Sequence, residues 1–254
     1  MDQTAIDEVA QLFMRARQSG ERLEALPAAL KPRTFADSCA VMDAVDRLVG
    51  DKIVGIKIAA KPGAEVVYAP LQASRIFTSP AHIPLALVPS KTMECEISFR
   101  VVRDLPPRSA IYSDQEVFDC LEACPAFEIV DSRFRDLKST MDNTPYEFYA
   151  DHIANGAMVF GEFRKDWQKF DFGKTRVAMK QGSRTIIEKT GGHPTGNPAI
   201  PAVVLANLRR TTTGLKAGTI VVTGSFTGFH PVEIDSPVIG EFEGFGKMTA
   251  TIVS

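Results

Sequence analysis

Nine consecutive residues alternate without a break. Met93, Cys95, Ile97, Phe99 and Val101 form one set, and Glu94, Glu96, Ser98 and Arg100 the other. Side chains on an extended strand point to opposite faces in turn, so this run reads as a strand with one apolar and one polar face. Two glutamates at i and i+2 then point the same way, with α-carbons about 6–7 Å apart. Any fold this chain adopts must give those two carboxylates a common environment. One reading is an ordinary strand with a solvated polar face. The other is a hard divalent cation, because Mg2+ and Mn2+ prefer carboxylate and water oxygens.

The surrounding chain is also strand-rich. Short β-type runs follow one another at 52–59, 126–132, 156–162, 176–182, 218–226 and 240–253, with Gly and Pro turn signals between them. Helices are expected to interrupt at 114–124 and 198–213. Before residue 50 the period changes. Ile6, Val9, Ala10, Phe13 and Ala16 recur at helical spacing over 4–19, and Gly20 supplies a stop. A second helix is expected over 34–49, with Ala40, Val41, Ala44, Val45 and Leu48 on one stripe. Asp37 or Ser38 stands near its start and Gly50 at its end. These periods divide the chain into a helical N-terminal region, 1–50, and a β-rich catalytic domain, 51–254. A chain of 254 residues buries about 70–75% of its unfolded surface and needs no staples.

Composition excludes more than it selects. Lys and Arg total 29 against 31 for Asp and Glu, so no global charge draws the chain to nucleic acid or to an anionic membrane. No apolar run has the length of a transmembrane helix, and the N-terminus lacks the apolar core of a signal peptide. Cys39, Cys95, Cys120 and Cys124 match neither a zinc nor a thioredoxin spacing and read as buried thiols. A cytoplasmic location is therefore expected. The glycine-rich segments lack the lysine of a P-loop, no G-x-G-x-x-G opens a helix after a strand, and no nucleophile elbow is present.

Two further charges sit inside apolar runs. Glu128 interrupts the strand-like stretch 126–132, where an unpaired buried carboxylate would be costly. A cation would compensate it; so would pairing with Arg133 or Arg135, or an exposed face. Lys57 interrupts the run 52–59 and either reaches out to water or faces the same cavity as the glutamates. His193, between Gly192 and Pro194, reads as a structural turn residue.

The motifs GIKI (55–58), ECE (94–96), AFEIVDSR (126–133), AD (150–151), GHP (192–194), LANL (205–208), AGTIVVTGS (217–225) and EGFGKMTATI (243–252) occur in that order. Together they resemble the fumarylacetoacetate hydrolase superfamily. Within it the chain is most similar to the 2-hydroxypenta-2,4-dienoate (2-oxopent-4-enoate) hydratases and 4-oxalocrotonate decarboxylases, from about residue 50 to the C-terminus.

The resemblance implies an α+β fold with a mixed β-roll core and a small helical N-terminal region. It implies Mg2+ or Mn2+ on Glu94, Glu96 and Glu128, with Lys57 taking part in proton transfer. Thr223, Gly224 and Ser225 would face the substrate, as would Asp151 and His152. The implied activity is that of a lyase of hydratase type, acting on a short 2-oxo or 2-hydroxydienoic acid through a metal-stabilised enolate. The alternatives are a 4-oxalocrotonate-type decarboxylase, an acylpyruvate C–C hydrolase, or a non-catalytic ligand-binding paralogue. A homo-oligomer is also implied.

Three departures stand out. Where hydratases carry Pro-Asp-Phe-Gly, the chain reads Glu65-Val66-Val67-Tyr68-Ala69-Pro70. Ala-Asp-Asn is replaced by Ala150-Asp151-His152, and Ala-Gly-Asp by Ala217-Gly218-Thr219. The proposed cation ligands are thus better represented than the hydration apparatus.

Overall fold

A computed structural model describes residues 1–254. Helix α1 spans Gln3–Ser19, capped by the Asp2 carboxylate and closed by Gly20 in the left-handed region. Its buried residues are Ile6, Val9, Ala10, Phe13 and Ala16, the five that the helical period selects. Helix α2 spans Phe35–Val49 and ends on left-handed Gly50. Its cap is Thr34 rather than Asp37 or Ser38. Thr34 accepts the Asp37 N–H while the Asp37 carboxylate receives the Thr34 N–H, so both donors are satisfied at once. Leu48 falls off the buried stripe at 46% exposure, and Met42 is buried instead. The two helices pack around Phe13, Val41 and Val45, with Phe134 and Ala150 arriving from later in the chain.

The strands follow as β1 (Ile53–Ala59), β2 (Val67–Gln72), β3 (Ile76–Thr78), β4 (Ala81–Pro84) and β5 (Thr92–Val101). Helix α3 (Asp114–Phe118) leads into β6 (Leu121–Val130), and α4 (Leu137–Asn143) and α5 (Pro145–Ala150) into β7 (Asn155–Phe160). Strands β8 (Arg176–Gln181) and β9 (Arg184–Thr190) precede α6 (Ile200–Arg209). The chain closes with β10 (Ile220–Ser225), β11 (His230–Pro231), β12 (Val238–Phe242) and β13 (Gly246–Val253).

The larger sheet runs β2-β1-β10-β5-β6-β7-β3, with β11 pairing the start of β5; the smaller runs β4-β13-β12-β8-β9. Pairs β1–β10, β3–β7 and β4–β13 are parallel and the others antiparallel, so both sheets are mixed. Phe127, Ile129 and Val159 of the larger sheet share one core with Met179, Phe242, Met248 and Ala250 of the smaller. This is the mixed β-roll with few helices that the resemblance implies.

The expected helix over 114–124 is cut short. Only Asp114–Phe118 is helical, because Leu121–Val130 is buried at every position and pairs with β5 on one side and β7 on the other. Tertiary pairing overrides local helix preference there. The β-rich run 240–253 holds the end of β12 and all of β13, which pair as a hairpin.

Gly55 sets the spacing at the site's edge. A Cβ built there would stand 2.5 Å from the Ile220 carbonyl oxygen, so β1 and β10 approach as closely as they do only because the side chain is missing. Gly55→Ala should therefore destabilise the protein by about 1–3 kcal/mol in urea denaturation. An unchanged midpoint would show that this approach is not constrained.

Candidate active site

Strands β5 and β6 are antiparallel neighbours, and their register sets Glu94 directly opposite Glu128. Glu96 lies on the same face of β5 as Glu94. Lys57 belongs to β1, three strands away from β6 through β10 and β5. Three spacings on a flat sheet amount to about 14 Å. Yet Lys57 Nζ lies 2.5 Å from Glu128 Oε1, so the contact depends on the sheet's curl.

The polar face of β5 is not solvated. Glu94 is 3% exposed, and Glu96, Ser98 and Glu128 are 0% exposed. Glu128 does not pair with Arg133 or Arg135, whose partners are Asp131 and Asp151 for the first and Glu24 for the second. It takes Lys57 instead, and the Asn155 amide donates to the same oxygen at 3.1 Å. Lys57 also donates to the Ile153 carbonyl at 3.1 Å. Asn155 and the Ile153 carbonyl are site components that sequence reading missed; one is a single amide and the other a backbone group, and neither leaves a motif.

One oxygen of each glutamate is buried without a hydrogen-bond partner: Glu94 Oε2, Glu96 Oε1 and Glu128 Oε2. Carboxylate oxygens of the three residues lie within 4.8 Å of one another. Burial first, and then repulsion from Glu128, pushes the Glu94 carboxyl from 4.5 up to about 8; Lys57 and the Ser225 hydroxyl work against the rise. Burial also raises Glu96 well above the usual range, reinforced by Glu128 and Glu94. Burial alone would lower Lys57, but the attraction of Glu128, Glu94 and Glu96 outweighs it and holds the ammonium above its ordinary value. Fully ionised, three carboxylates and one ammonium carry a formal charge of −2. A divalent cation would neutralise that charge and occupy the orphaned oxygens, so the donor set fits a hard cation.

The Thr223-Gly224-Ser225 turn closes one side. Gly224 has φ 116°, and its N–H donates to Glu96 Oε2 at 3.1 Å. The register between β10 and β5 shifts between Val222 and Ser225, which re-aims this backbone. Thr223 Oγ1 donates to the Ile97 carbonyl, and the Thr223 carbonyl faces His193 Nε2 at 3.0 Å. Burial lowers His193 to about 4, with the Thr223 carbonyl opposing, so the ring is neutral and braces the turn.

Asp151 and His152 occupy a neighbouring but separate polar cluster. Asp151 receives the Arg133 side-chain and backbone N–H groups and the Ser132 hydroxyl. His152 lies between Asp46 and Arg17. The structure thus brings Lys57, Glu94, Glu96, Glu128, Gly224 and Ser225 together. The side chains of Asp151 and His152 are engaged elsewhere.

No family profile matches the chain. The 2-keto-4-pentenoate hydratase of Burkholderia vietnamiensis is 26% identical over 211 residues, covering 80% of this chain and 79% of its own. Among solved structures, 4-oxalocrotonate decarboxylase from Pseudomonas putida G7, complexed with magnesium and adipate, superposes with a TM-score of 0.84. That match covers 100% of this chain and 99% of the decarboxylase at 19% identity, and so carries the fold. The chain is thus similar in sequence to a curated hydratase and shares the fold of the decarboxylase. A more distant structural neighbour, fumarylpyruvate hydrolase from Pseudomonas aeruginosa in complex with Mn2+ and pyruvate, has a TM-score of 0.58 and 11% identity, covering 78% of this chain and 88% of its own. No helix of the chain is long and apolar enough to cross a membrane.

The raised carboxyl pKa values fix the sign of a stability test. Without a cation the fold favours protonated Glu94. Its contribution is full below the ordinary 4.5 and is lost as pH rises through about 8. Thermal melts in EDTA should therefore fall between about pH 5 and about pH 8, and Mg2+ should reverse the trend by binding the deprotonated groups. A flat metal-free profile would contradict the burial of these carboxyls.

Proposed function

We propose that this lyase-type enzyme uses Mg2+ or Mn2+ to act on a short 2-oxo or 2-hydroxydienoic acid, by hydration. The observation that carries the proposal is the set of three orphaned carboxylate oxygens on Glu94, Glu96 and Glu128, buried beside an ammonium. A divalent cation held there supplies Lewis-acid charge that steadies negative charge developing on a 2-oxo oxygen.

The remaining roles fall to the chain's own groups. Glu94, Glu96 and Glu128 hold the cation, and Gly224 N–H and Ser225 orient the first two. Lys57 has three N–H donors, of which Glu128 and the Ile153 carbonyl take two. The third is left to meet the substrate, where Lys57 gives or takes a proton at the carbon chain. Near-complete burial of the glutamates keeps bulk water from diluting the field at the reacting atoms. Decarboxylation of the same class of acid is the second reading. Its support is the stretch 65–70, which feeds β2 without the aspartate that hydratases carry.

A screen with added Mn2+ over 2-hydroxydienoates, 4-oxalocrotonate and acylpyruvates tests the proposal. Hydration is expected; CO2 release alone would select the second reading, and cleavage of acylpyruvates a hydrolase. Glu94→Gln and Glu128→Gln should each weaken Mn2+ binding by calorimetry at least about tenfold and abolish turnover. Unchanged Mn2+ affinity would remove the site assignment. Lys57→Met should keep Mn2+ while losing about 10²–10⁴ in kcat. A kcat near wild type would remove Lys57 from proton transfer.

A further inference from the structure

Behind Lys57, four side chains from four separate segments close a ring of hydrogen bonds. Arg17 of α1 donates to Gln72 Oε1 at 3.2 Å and to His152 Nδ1 at 3.4 Å. Gln72, at the end of β2, donates to Asp46 Oδ1 of α2 at 2.6 Å, and His152 Nε2 meets the same oxygen at 3.0 Å. A guanidinium cannot accept, so Nδ1 of His152 is the acceptor and Nε2 carries the proton that goes to Asp46. The ring therefore fixes a neutral imidazole in one tautomer. Burial also disfavours the charged ring, as does Arg17, against the pull of Asp46.

His152 begins an unusual piece of backbone. His152, Ile153 and Ala154 have φ values of 54°, 51° and 54°, three consecutive non-glycine residues in the left-handed region. Such residues persist only where their surroundings hold them. Arg133 and Ser132 hold the turn at Asp151, and the Asp131 N–H holds the Ala154 carbonyl at 2.8 Å. The ring holds it at His152. Between these anchors the Ile153 carbonyl is aimed at Lys57 Nζ.

We propose that the Arg17–Gln72–Asp46–His152 ring is a positioning device for Lys57. It keeps the left-handed turn in place, so the Ile153 carbonyl fixes where the ammonium stands against Glu128. His152 is then a positioning residue rather than a substrate ligand, and the N-terminal helices become working parts of the site. The proposal rests on the role given above to Lys57.

The test uses the full chain loaded with Mn2+ and a 2-oxo or 2-hydroxydienoic acid that the wild type turns over. His152→Ala should lower kcat about ten- to hundredfold, with KM and Mn2+ affinity within about twofold of wild type. His152→Gln, whose amide can still donate to Asp46, should recover most of the loss. Amide hydrogen exchange over 151–155 should quicken at least about tenfold in His152→Ala and less in His152→Gln. Unchanged kcat, or equal losses in the two variants, would overturn the proposal. So would wild-type protection of the turn in His152→Ala. If the wild type turns over no acid in the panel, the functional reading fails by itself. Hydrogen exchange then still decides whether the ring holds the turn.

Discussion

The organising interaction is the ion pair between Lys57 and Glu128, made at 2.5 Å inside a cluster that holds three glutamates and one ammonium. Buried charge is expensive unless it is balanced, and one lysine leaves this cluster short. Burial, reinforced by that imbalance, raises Glu94 and Glu96, and one oxygen of each glutamate is left without a partner. The ion pair also constrains the architecture. Lys57 reaches Glu128 only because the larger sheet curls, and at Gly55, two residues before Lys57, β1 leaves no room for a side chain against β10.

The supports of this cluster come from all over the chain. Strand β5 provides two of the glutamates and β6 the third, while the bulged end of β10 turns Gly224 N–H toward Glu96. His193 braces that bulge from its far side. On the other flank, α1, α2 and the end of β2 converge on the turn that presents the Ile153 carbonyl to Lys57. The helical N-terminal region, separable by its periodicity, is thus tied by hydrogen bonds to the turn beside the cluster.

Legibility in the sequence followed the range of the forces involved. The α1 stripe and the alternation of 93–101 are local periods, and both appear in the structure as read. Burial of the polar face of β5 is not local; it arises when a curled sheet closes over Glu94, Glu96 and Ser98. The nearest arginines in sequence, Arg133 and Arg135, were the natural candidates for Glu128, but its partner lies 71 residues away. His152 follows Asp151 in the sequence, yet its side-chain contacts come from positions 106 and 135 residues distant. The stretch 114–124 looked helical locally and became partly strand because two neighbours claimed it.

The central claim is that the three glutamates form one divalent-cation site. Anomalous diffraction from crystals soaked in Mn2+ tests it most directly. The account predicts one strong peak within coordination distance of Glu94, Glu96 and Glu128, with Lys57 still on Glu128. A peak confined to surface carboxylates, with density at the buried cluster unchanged, would contradict it.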